Sequence, residues 1–370
     1  MATRKKKKAS APRRASAAPA VPAGPVTLDE ALALAQPKTP ARAMRRRNVA
    51  AKAAALRLAT PTTVAVERRK LKVAVHKENQ RRISEYKAAM EIIARRGLTD
   101  ESPAVRRAAV ARRGPAAAPK VIVQPLKVMA EGDSWFDYPV PFFGGGIIKR
   151  LQSKLGVPIL NLAKAGDEVR FMLGVEERTL LRKHLTAGSP AGGPWDALLF
   201  SGGGNDIVDN PMALWIKDFD ATIPIGNHIH QARFDAVLTL VRSGYEDLIE
   251  LRDRVTPNTA LFFNAYDFAI PDGRGICKLG PWLKPTFDLR KFVKQADAFE
   301  VVKAMLQKFF AMLQALAAAH PRVEVVDTQG TMNPVIASWH NELHPAKAGF
   351  DTFAGKFHAR LKAMFPAQVF

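Results

Sequence analysis

Short apolar runs alternate with longer amphipathic stretches through residues 121 to 370. Five of these runs have the composition of buried strands: 126–130, 158–162, 197–201, 260–264 and 323–326. Between them, apolar residues recur at helical spacing, most clearly over 234–254 and 295–319, and a last helix is expected after residue 344. This alternation of strands and helices predicts an α/β fold with a parallel sheet.

Five strands in this rhythm predict a three-layer α/β/α sandwich of the flavodoxin-like type, with strand order 2-1-3-4-5. In such a sheet, ligands bind beyond the carboxyl ends of the strands, near the point where the strand order reverses. Polar residues that directly follow the strands are therefore the candidates for a functional site.

The first 120 residues follow a different pattern. Residues 1–62 are rich in Ala, Pro, Lys and Arg, which predicts a disordered basic tail. Residues 63–97 carry apolar residues at helical intervals among many Lys and Arg, which predicts an amphipathic basic helix. Residues 98–120 are a predicted linker, and 121–370 form the predicted catalytic domain.

The formal net charge of +22 belongs almost entirely to the N-terminal part. Residues 1–120 hold 29 Lys and Arg against 8 Asp and Glu, whereas residues 121–370 hold 27 against 26. This excess is more than solubility requires, and it indicates nucleic acid, an anionic membrane surface or an acidic protein as a partner of residues 1–120. We find no feature that reads bases, so contact with nucleic acid is expected to be nonspecific and to weaken steeply with salt.

The N terminus does not have the pattern of a signal peptide. The cationic start is followed by a stretch that Arg13, Arg14 and several prolines interrupt, without an apolar core. No stretch reaches the ~20 apolar residues of a membrane span. The single cysteine, Cys277, excludes an intramolecular disulfide. We therefore expect a cytoplasmic protein without a transmembrane segment.

Candidate chemical groups follow four of the five predicted strands. Ser134 follows the first in Gly-Asp-Ser-Trp, and Gly166 the second. Asn205 follows the third in a loop whose three glycines would bring the backbone close to a ligand, and His344 precedes the last helix. Each has a structural explanation on its own, such as a helix cap or a turn. All four, however, reach the same edge of the predicted sheet.

Together these groups have what acyl transfer needs. A serine hydroxyl becomes an effective nucleophile when a base takes its proton, and an imidazole suits that role near neutral pH. The attack creates an oxyanion, which fixed donors must stabilise. The candidate donors are the backbone N–H groups of Ser134 and Gly166 and the side-chain amide of Asn205.

The blocks GDSW, NLAKAGDE, SGGGND and NELHP, in this order, resemble the four characteristic blocks of the SGNH (GDSL-like) hydrolases. The longer form GDSWFDYP, Gly132 to Pro139, is similar to a bacterial branch of that family. The resemblance covers most of residues 126–350 and implies the flavodoxin-like fold and hydrolysis of esters, thioesters or acylated sugars without a metal. It also implies a nucleophile, a base and oxyanion-hole residues, namely Ser134, His344, Gly166 and Asn205.

One position departs from the family's pattern. The residue three before His344 is Asn341, where the family has Asp. A neutral amide can hold the imidazole, but it stabilises the charged ring less than a carboxylate does. The orienting group is then Asn341 itself or a backbone carbonyl, or it is the adjacent Glu342, or the enzyme is slow. We prefer the first explanation because Glu342 is expected to point elsewhere, and we count Asn341 among the catalytic residues.

Three further histidines could have a chemical role, one as the base and two as metal ligands. His340 competes as the base because it lies four residues from His344, but we expect it to pack beside Trp339. His228 and His230 form an H-x-H pair without a third ligand suggested nearby, whereas zinc sites need three or four. We expect this pair in a surface loop, and we expect no metal and no cofactor.

The connection from Tyr266 to Phe292, between the fourth strand and the next helix, is unusually long. Long loops in compact domains are usually functional or disordered. Its aromatic residues and its position at the same edge favour a substrate lid or acyl-side wall around Trp282 and Phe287. Plain surface cover is the alternative.

The sequence therefore predicts a serine esterase that forms an acyl-enzyme on Ser134 and hydrolyses an ester of a small molecule, lipid or sugar. One alternative is acyl transfer to a sugar hydroxyl in place of water. Another is a weak or inactive hydrolase body that carries the basic extension to nucleic acid or an anionic surface. The natural ester and the oligomeric state do not follow from the sequence.

Overall fold

A parallel sheet of five strands forms the centre of the protein. The computed structural model describes residues 24–36, 61–99, 121–122, 124–138, 145–276 and 279–369. The strands, in chain order, are β1 (Leu98–Thr99), β2 (Val121–Ile122), β3 (Val128–Gly132), β4 (Ile159–Asn161), β5 (Ala197–Ser201), β6 (Ala260–Asn264) and β7 (Val323–Val326). The central sheet has the order β4-β3-β5-β6-β7, which confirms the predicted order 2-1-3-4-5.

The inner strands read as continuous apolar runs because helices cover both of their faces. All residues of β3, β5 and β6 are buried. Val128 pairs with both Ile159 and Ala197, and Gly132 pairs with Ser201. The carboxyl ends of β3 and β5 therefore lie side by side, at the point where the strand order reverses.

The helices form two layers around this sheet. They are α1 (Leu28–Ala35), α2 (Pro61–Arg96), α3 (Ile147–Leu155), α4 (Val169–Met172), α5 (Val175–Ala187), α6 (Gln231–Val255), α7 (Lys284–Leu289), α8 (Gln295–Ala319) and α9 (Lys347–Met364). Helices α3 and α9 pack against each other, whereas α6 packs against α4, α5 and α8. Short 3-10 turns lie at Asn210–Leu214, Ile225–Asn227 and Ile336–Ser338.

Part of the predicted disordered tail is helical, which corrects that prediction for residues 28–35. The Thr27 hydroxyl accepts a hydrogen bond from the Glu30 N–H, and the Glu30 carboxylate accepts one from the Thr27 N–H. This capping box satisfies two donors at the start of α1, and Leu28 and Ala31 are buried. Residues 61–62 of the predicted tail already belong to α2, whereas tail residues 1–23 and 37–60, linker residues 100–120 and Cys277 lie outside the described residues.

Helix α2 packs against the α/β body that contains the five-stranded sheet. Its buried residues Tyr86, Met90 and Ile93 belong to the common hydrophobic core, and the Tyr86 ring lies 5.6 Å from that of Trp195. Gly97 ends the helix with a φ of 75°. Strand β1 then pairs antiparallel with β2, so both ends of the segment predicted as a linker are held together.

Helix α8 is long and apolar enough to cross a membrane, judged by length and composition alone. No stretch of the sequence was expected to meet this criterion. Core helices of globular domains meet the same criterion, and one face of α8 is buried against β7 and α6.

Candidate active site

Ser134 lies in a tight turn at the carboxyl end of β3. The Asp133 N–H donates to the Ser201 carbonyl (2.9 Å), and the Asp133 carboxylate accepts the Trp135 N–H (3.0 Å). Gly132 precedes this turn with a φ of 158°, and a Cβ atom there would lie 2.6 Å from the Ser201 carbonyl oxygen. The glycine therefore allows β3 and β5 to approach closely where the serine emerges.

His344 lies opposite Ser134, on the segment before α9. Its Nε2 is 2.6 Å from the Ser134 Oγ, although the two residues are 210 positions apart in the chain. A bridge between Trp339 and Pro345 and a bond from the His340 N–H to the His344 carbonyl fold this segment back on itself. The structure thus brings the predicted nucleophile and base into hydrogen-bond contact, with both side chains buried.

The amide of Asn341 lies against the other ring nitrogen of His344. Its Oδ1 is 3.0 Å from His344 Nδ1 and also accepts the backbone N–H groups of Leu343 (3.0 Å) and His344 (2.9 Å). Its Nδ2 donates to the Tyr138 hydroxyl (3.1 Å). With its oxygen held by three donors and its nitrogen by one acceptor, the amide accepts the Nδ1 proton, so the Nε2 lone pair faces Ser134.

Glu342 has a structural role away from the base. It is buried, and its carboxylate accepts hydrogen bonds from four backbone N–H groups in the long connection between β6 and α8. The donors are Gly273 (2.9 Å), Trp282 (2.5 Å), Leu283 (2.8 Å) and Lys284 (2.9 Å). Three of these donors lie at the start of α7, where a negative charge is favourable. Among the three explanations for the missing Asp, the geometry favours Asn341 itself.

One expectation about the other histidines is corrected, and one gains a partner. His340 Nδ1 is 2.7 Å from the Tyr138 hydroxyl, a contact that was not expected beside its predicted packing on Trp339. His228 is fully buried and stacked on Phe219, with its Nε2 accepting the Asp220 N–H. The expectation of a surface loop is therefore wrong for His228, whose ring stacks on Phe219 and meets Phe292 edge-on. Within the described ranges, no group of His, Cys, Asp and Glu is placed to hold a metal ion.

The predicted oxyanion-hole residues Ser134, Gly166 and Asn205 lie on the loops after β3, β4 and β5. Asn205 lines the same pocket as Ser134 and His344, and its Nδ2 donates to the Asp167 carbonyl (2.8 Å), which ties it to the loop that carries Gly166. Gly166 has a φ of 83°, a conformation that side chains disfavour, but it is not among the residues that line the pocket.

The three glycines before Asn205 lie close to side chains of neighbouring elements. A Cβ atom on Gly202 would lie 2.8 Å from Val169, one on Gly203 2.6 Å from Phe309, and one on Gly204 3.0 Å from Tyr266. The glycines therefore make room for these side chains, and Gly204 also lines the pocket, where the predicted close approach of backbone to a ligand stays a prediction.

The pocket beside Ser134 is mostly apolar. Helix α8 contributes Val302, Met305 and Leu306. Met305 and Leu306 follow Val302 by three and four residues, about one helical turn, so all three lie on the same side of the helix. The remaining apolar and aromatic lining comes from the turn after β3 and the loops after β5, β6 and β7, through Trp135, Ile207, Val208, Tyr266, Ala269, Leu283 and Leu343. No Lys or Arg lines this pocket among the residues that the structure describes.

The two predicted lid residues have different positions. The Trp282 ring meets His344 edge-on, with ring centroids 6.2 Å apart. Phe287 is buried and packs against Phe292 (5.1 Å), and it is not among the pocket-lining residues. Neither residue is among those that line the pocket, but Trp282 contacts the base and its neighbour Leu283 does line the pocket.

Burial dominates the electrostatics of the site. It lowers the pKa of His344 to about 3, with a smaller contribution from His340. Burial also raises the pKa of Asp133 to about 7, although the hydroxyl groups of Tyr266 (2.5 Å) and Ser201 (3.0 Å) donate to its carboxylate. It raises the pKa of Glu131, on β3, to about 8. The imidazole is therefore neutral, as a general base must be, over a wide pH range.

Two groups at the site were missed by the sequence analysis. Tyr138 stacks on His344 with centroids 4.4 Å apart and binds Asn341 through its hydroxyl. Asp133 lies beneath the nucleophile with Tyr266. Both Asp133 and Tyr138 belong to the quoted block GDSWFDYP, so the block itself was the available signal.

No protein-family model and no curated protein matches the chain. Among solved structures, it is similar to the lipase Lip_vut3 from a goat rumen metagenome, at 16% identity and a TM-score of 0.42 over 63% of this chain and 96% of that one. It is also similar to a family 3 carbohydrate esterase from Clostridium thermocellum, at 16% identity and a TM-score of 0.39 over 67% of this chain and 100% of that one. A family 3 carbohydrate esterase from Talaromyces cellulolyticus is similar at 11% identity and a TM-score of 0.37, over 65% of this chain and 98% of that one. At this level of similarity, function has to be argued from the site itself.

Proposed function

We propose that this protein is a serine esterase of the SGNH type, which hydrolyses carboxylic esters through an acyl-enzyme on Ser134. The observation that carries the proposal is the 2.6 Å contact between Ser134 Oγ and His344 Nε2 at an apolar pocket. A nucleophile within hydrogen-bond reach of a base, which a third group orients in turn, is the arrangement that nucleophilic catalysis requires.

The reaction proceeds in two halves. His344 Nε2 takes the Ser134 proton as Oγ attacks the ester carbonyl, and the resulting imidazolium gives that proton to the leaving alcohol. Water then loses a proton to the same nitrogen, attacks the acyl-enzyme, and releases the carboxylic acid as Ser134 recovers its proton. The oxyanion formed in each half is held by the backbone N–H groups of Ser134 and Gly166 and by the Asn205 amide.

Asn341 orients the ring without adding a charge. Its Oδ1 holds the Nδ1 proton, which leaves Nε2 unprotonated toward Ser134. Because no carboxylate stabilises the imidazolium, the base is weaker than that of an Asp-containing site. We therefore expect good activity on esters with reactive leaving groups and little on amides.

The acyl group of the substrate occupies the apolar pocket, where α8 provides one wall, and Trp282 lies next to this pocket between His344, which it contacts, and the lining residue Leu283. An uncharged hydrocarbon acyl chain suits this lining because burial of apolar surface is favourable by roughly 25 cal/mol per Å². Replacing Trp282 with Ala should change the ratio of kcat/KM for long and short acyl chains. Equal kinetics across chain lengths would remove Trp282 from the substrate wall.

Fluorophosphonate labelling tests the proposal directly, because only an activated serine reacts. Wild type should be labelled and should hydrolyse p-nitrophenyl esters, whereas Ser134→Ala and His344→Ala should do neither while remaining folded by circular dichroism. Retained labelling of Ser134→Ala would place the reactive group elsewhere.

A folded but unreactive wild type would favour the alternative, a binding protein that uses its basic residues. The observation behind it is the charge of residues 1–120 together with the neutral Asn341. Binding of DNA or anionic vesicles that weakens with salt would support it.

A further inference from the structure

Arg82, on the basic helix α2, contacts the segments that carry the active site. Its Nη1 donates to the carbonyls of Asn161 and Ala163, both at 3.0 Å, and its Nη2 donates to the Asp137 carboxylate at 2.8 Å. Its Nε pairs with Glu78 on the same helix (3.1 Å). The side chain is only 14% exposed, so the guanidinium is enclosed by its partners.

The two carbonyls lie at the open edge of the sheet. Strand β4 is the edge strand, so the carbonyls on its outer side have no neighbouring strand to pair with. Asn161 is the last residue of β4, and Ala163 is two residues further, where an extended chain points its carbonyl to the same side. Arg82 therefore takes the place of a missing strand at this point.

The partners of Arg82 lie next to two loops of the proposed active site, the turn with Ser134 and the loop with Gly166. Asp137 belongs to the turn after β3, three residues beyond Ser134 and next to Tyr138. Asn161 and Ala163 lead into the loop with Gly166, and the Asn161 side chain itself accepts from the Ala163 N–H and donates to the Phe136 carbonyl. Arg82 thus ties the nucleophile turn to the oxyanion loop through one planar group, which offers several donors in fixed directions.

We infer that Arg82 is a positioning residue of the esterase, and that residues 61–96 belong to the catalytic unit. This inference rests on the proposed function. It assigns to the basic extension a part in holding the oxyanion-hole geometry, in addition to any partner that its other charges bind. A displacement of about 1 Å at such a site costs about 10²-fold in rate.

The neighbouring Arg81 provides a matched control. It carries the same charge and lies on the same helix, but its ion-pair partners, Glu78 and Glu85, lie on α2 itself, and its side chain is 46% exposed. Arg82→Ala should lower kcat for p-nitrophenyl esters by about 10- to 100-fold, with KM changed by less than about threefold. Arg82→Lys should recover only part of the rate, because an ammonium cannot reach three acceptors in a plane. Arg81→Ala should stay within about twofold of wild type.

Hydrogen exchange provides a readout that does not depend on esterase activity. Backbone amides of residues 161–168 and 133–138 should exchange faster in Arg82→Ala and remain protected in Arg81→Ala. Equal kcat and equal exchange in the two variants would overturn the inference while leaving the proposed function intact. Faster exchange with unchanged kcat would also overturn it, because Arg82 would then stabilise the edge without positioning the site. An inactive wild type would instead refute the proposed function.

Discussion

Replacing Asn341 by Asp tests whether a neutral amide alone orients the base. The new carboxylate would lie about 3 Å from Nδ1, where Asn341 Oδ1 is now 3.0 Å away. With an effective dielectric constant of about 20, opposite charges about 4 Å apart attract by roughly 4 kcal/mol, or about 3 pKa units. Burying the carboxylate offsets part of this gain. We expect the pKa of His344, now about 3, to rise by about 2 units.

The surroundings of Asn341 can accept this change. The two backbone donors and the Nδ1 proton suit a carboxylate oxygen as well as an amide oxygen. The Tyr138 hydroxyl would turn to donate to the second oxygen, and His340 would switch its ring proton to Nδ1. Because the imidazolium of the transition state is stabilised, kcat at pH 8 should rise by about tenfold or more.

The assay is the pH profile of kcat/KM for a p-nitrophenyl ester between pH 3 and 9. Wild type should lose activity only near the acid end, and Asn341→Asp should lose it about 2 units higher. Asn227→Asp adds the same charge at an exposed position and serves as the control. The assigned role of Asn341 would be refuted if Asn341→Asp lost kcat/KM at the same low pH as wild type. A loss of more than about tenfold in kcat in a folded Asn341→Asp variant would also refute it.

Three further predictions concern other parts of the site. Asn205→Ala should lower kcat by about 10²- to 10³-fold with little change in KM, and a loss below about threefold in steady-state kinetics would contradict its place in the oxyanion hole. The pKa of Glu131 is raised to about 8 in the folded protein, so the folded state binds the extra proton and stability should fall as pH rises from about 4.5 to 8. In denaturant titrations, the free energy of unfolding of Glu131→Gln should fall less with pH than that of wild type, by at most about 1.4 kcal/mol per pH unit. An equal fall in both proteins would show that Glu131 does not cause the pH dependence. Glu342→Gln replaces one of two oxygens, each of which accepts two N–H groups, by an amide nitrogen that cannot accept, and should lower the melting temperature by several degrees; a thermal scan identical to wild type would show that the carboxylate is dispensable.

The sheet could be predicted because each strand is a short apolar run that helices bury on both faces. The predicted strands at 197–201, 260–264 and 323–326 have the observed bounds, and the first is displaced by two residues to Val128–Gly132. The shift arises because Glu131 and Gly132 continue the ladder with β5 despite their composition. Contact between Ser134 and His344 follows from the same topology, since parallel strands end at one edge.

Features that depend on long-range packing were not predictable. The contact of Arg82 with β4 joins residues 79 positions apart, and the repeat pattern of α2 shows only that one face is apolar. Burial of His228 depends on Phe219 and Phe292, which lie on other segments. The orientation of the Asn341 amide is set by Tyr138, 203 positions away. In each case, local sequence defines the group but not its partner.

The four hydrogen bonds to Glu342 couple substrate fit to catalysis. Glu342 is flanked by Asn341 and lies two residues from His344, while its carboxylate holds the segment that contributes Leu283 to the pocket. An oversized acyl group that pushes this segment outward would pull on the same stretch of backbone that aims the imidazole. Poorly fitting esters should then be discriminated by slow turnover as well as by weak binding.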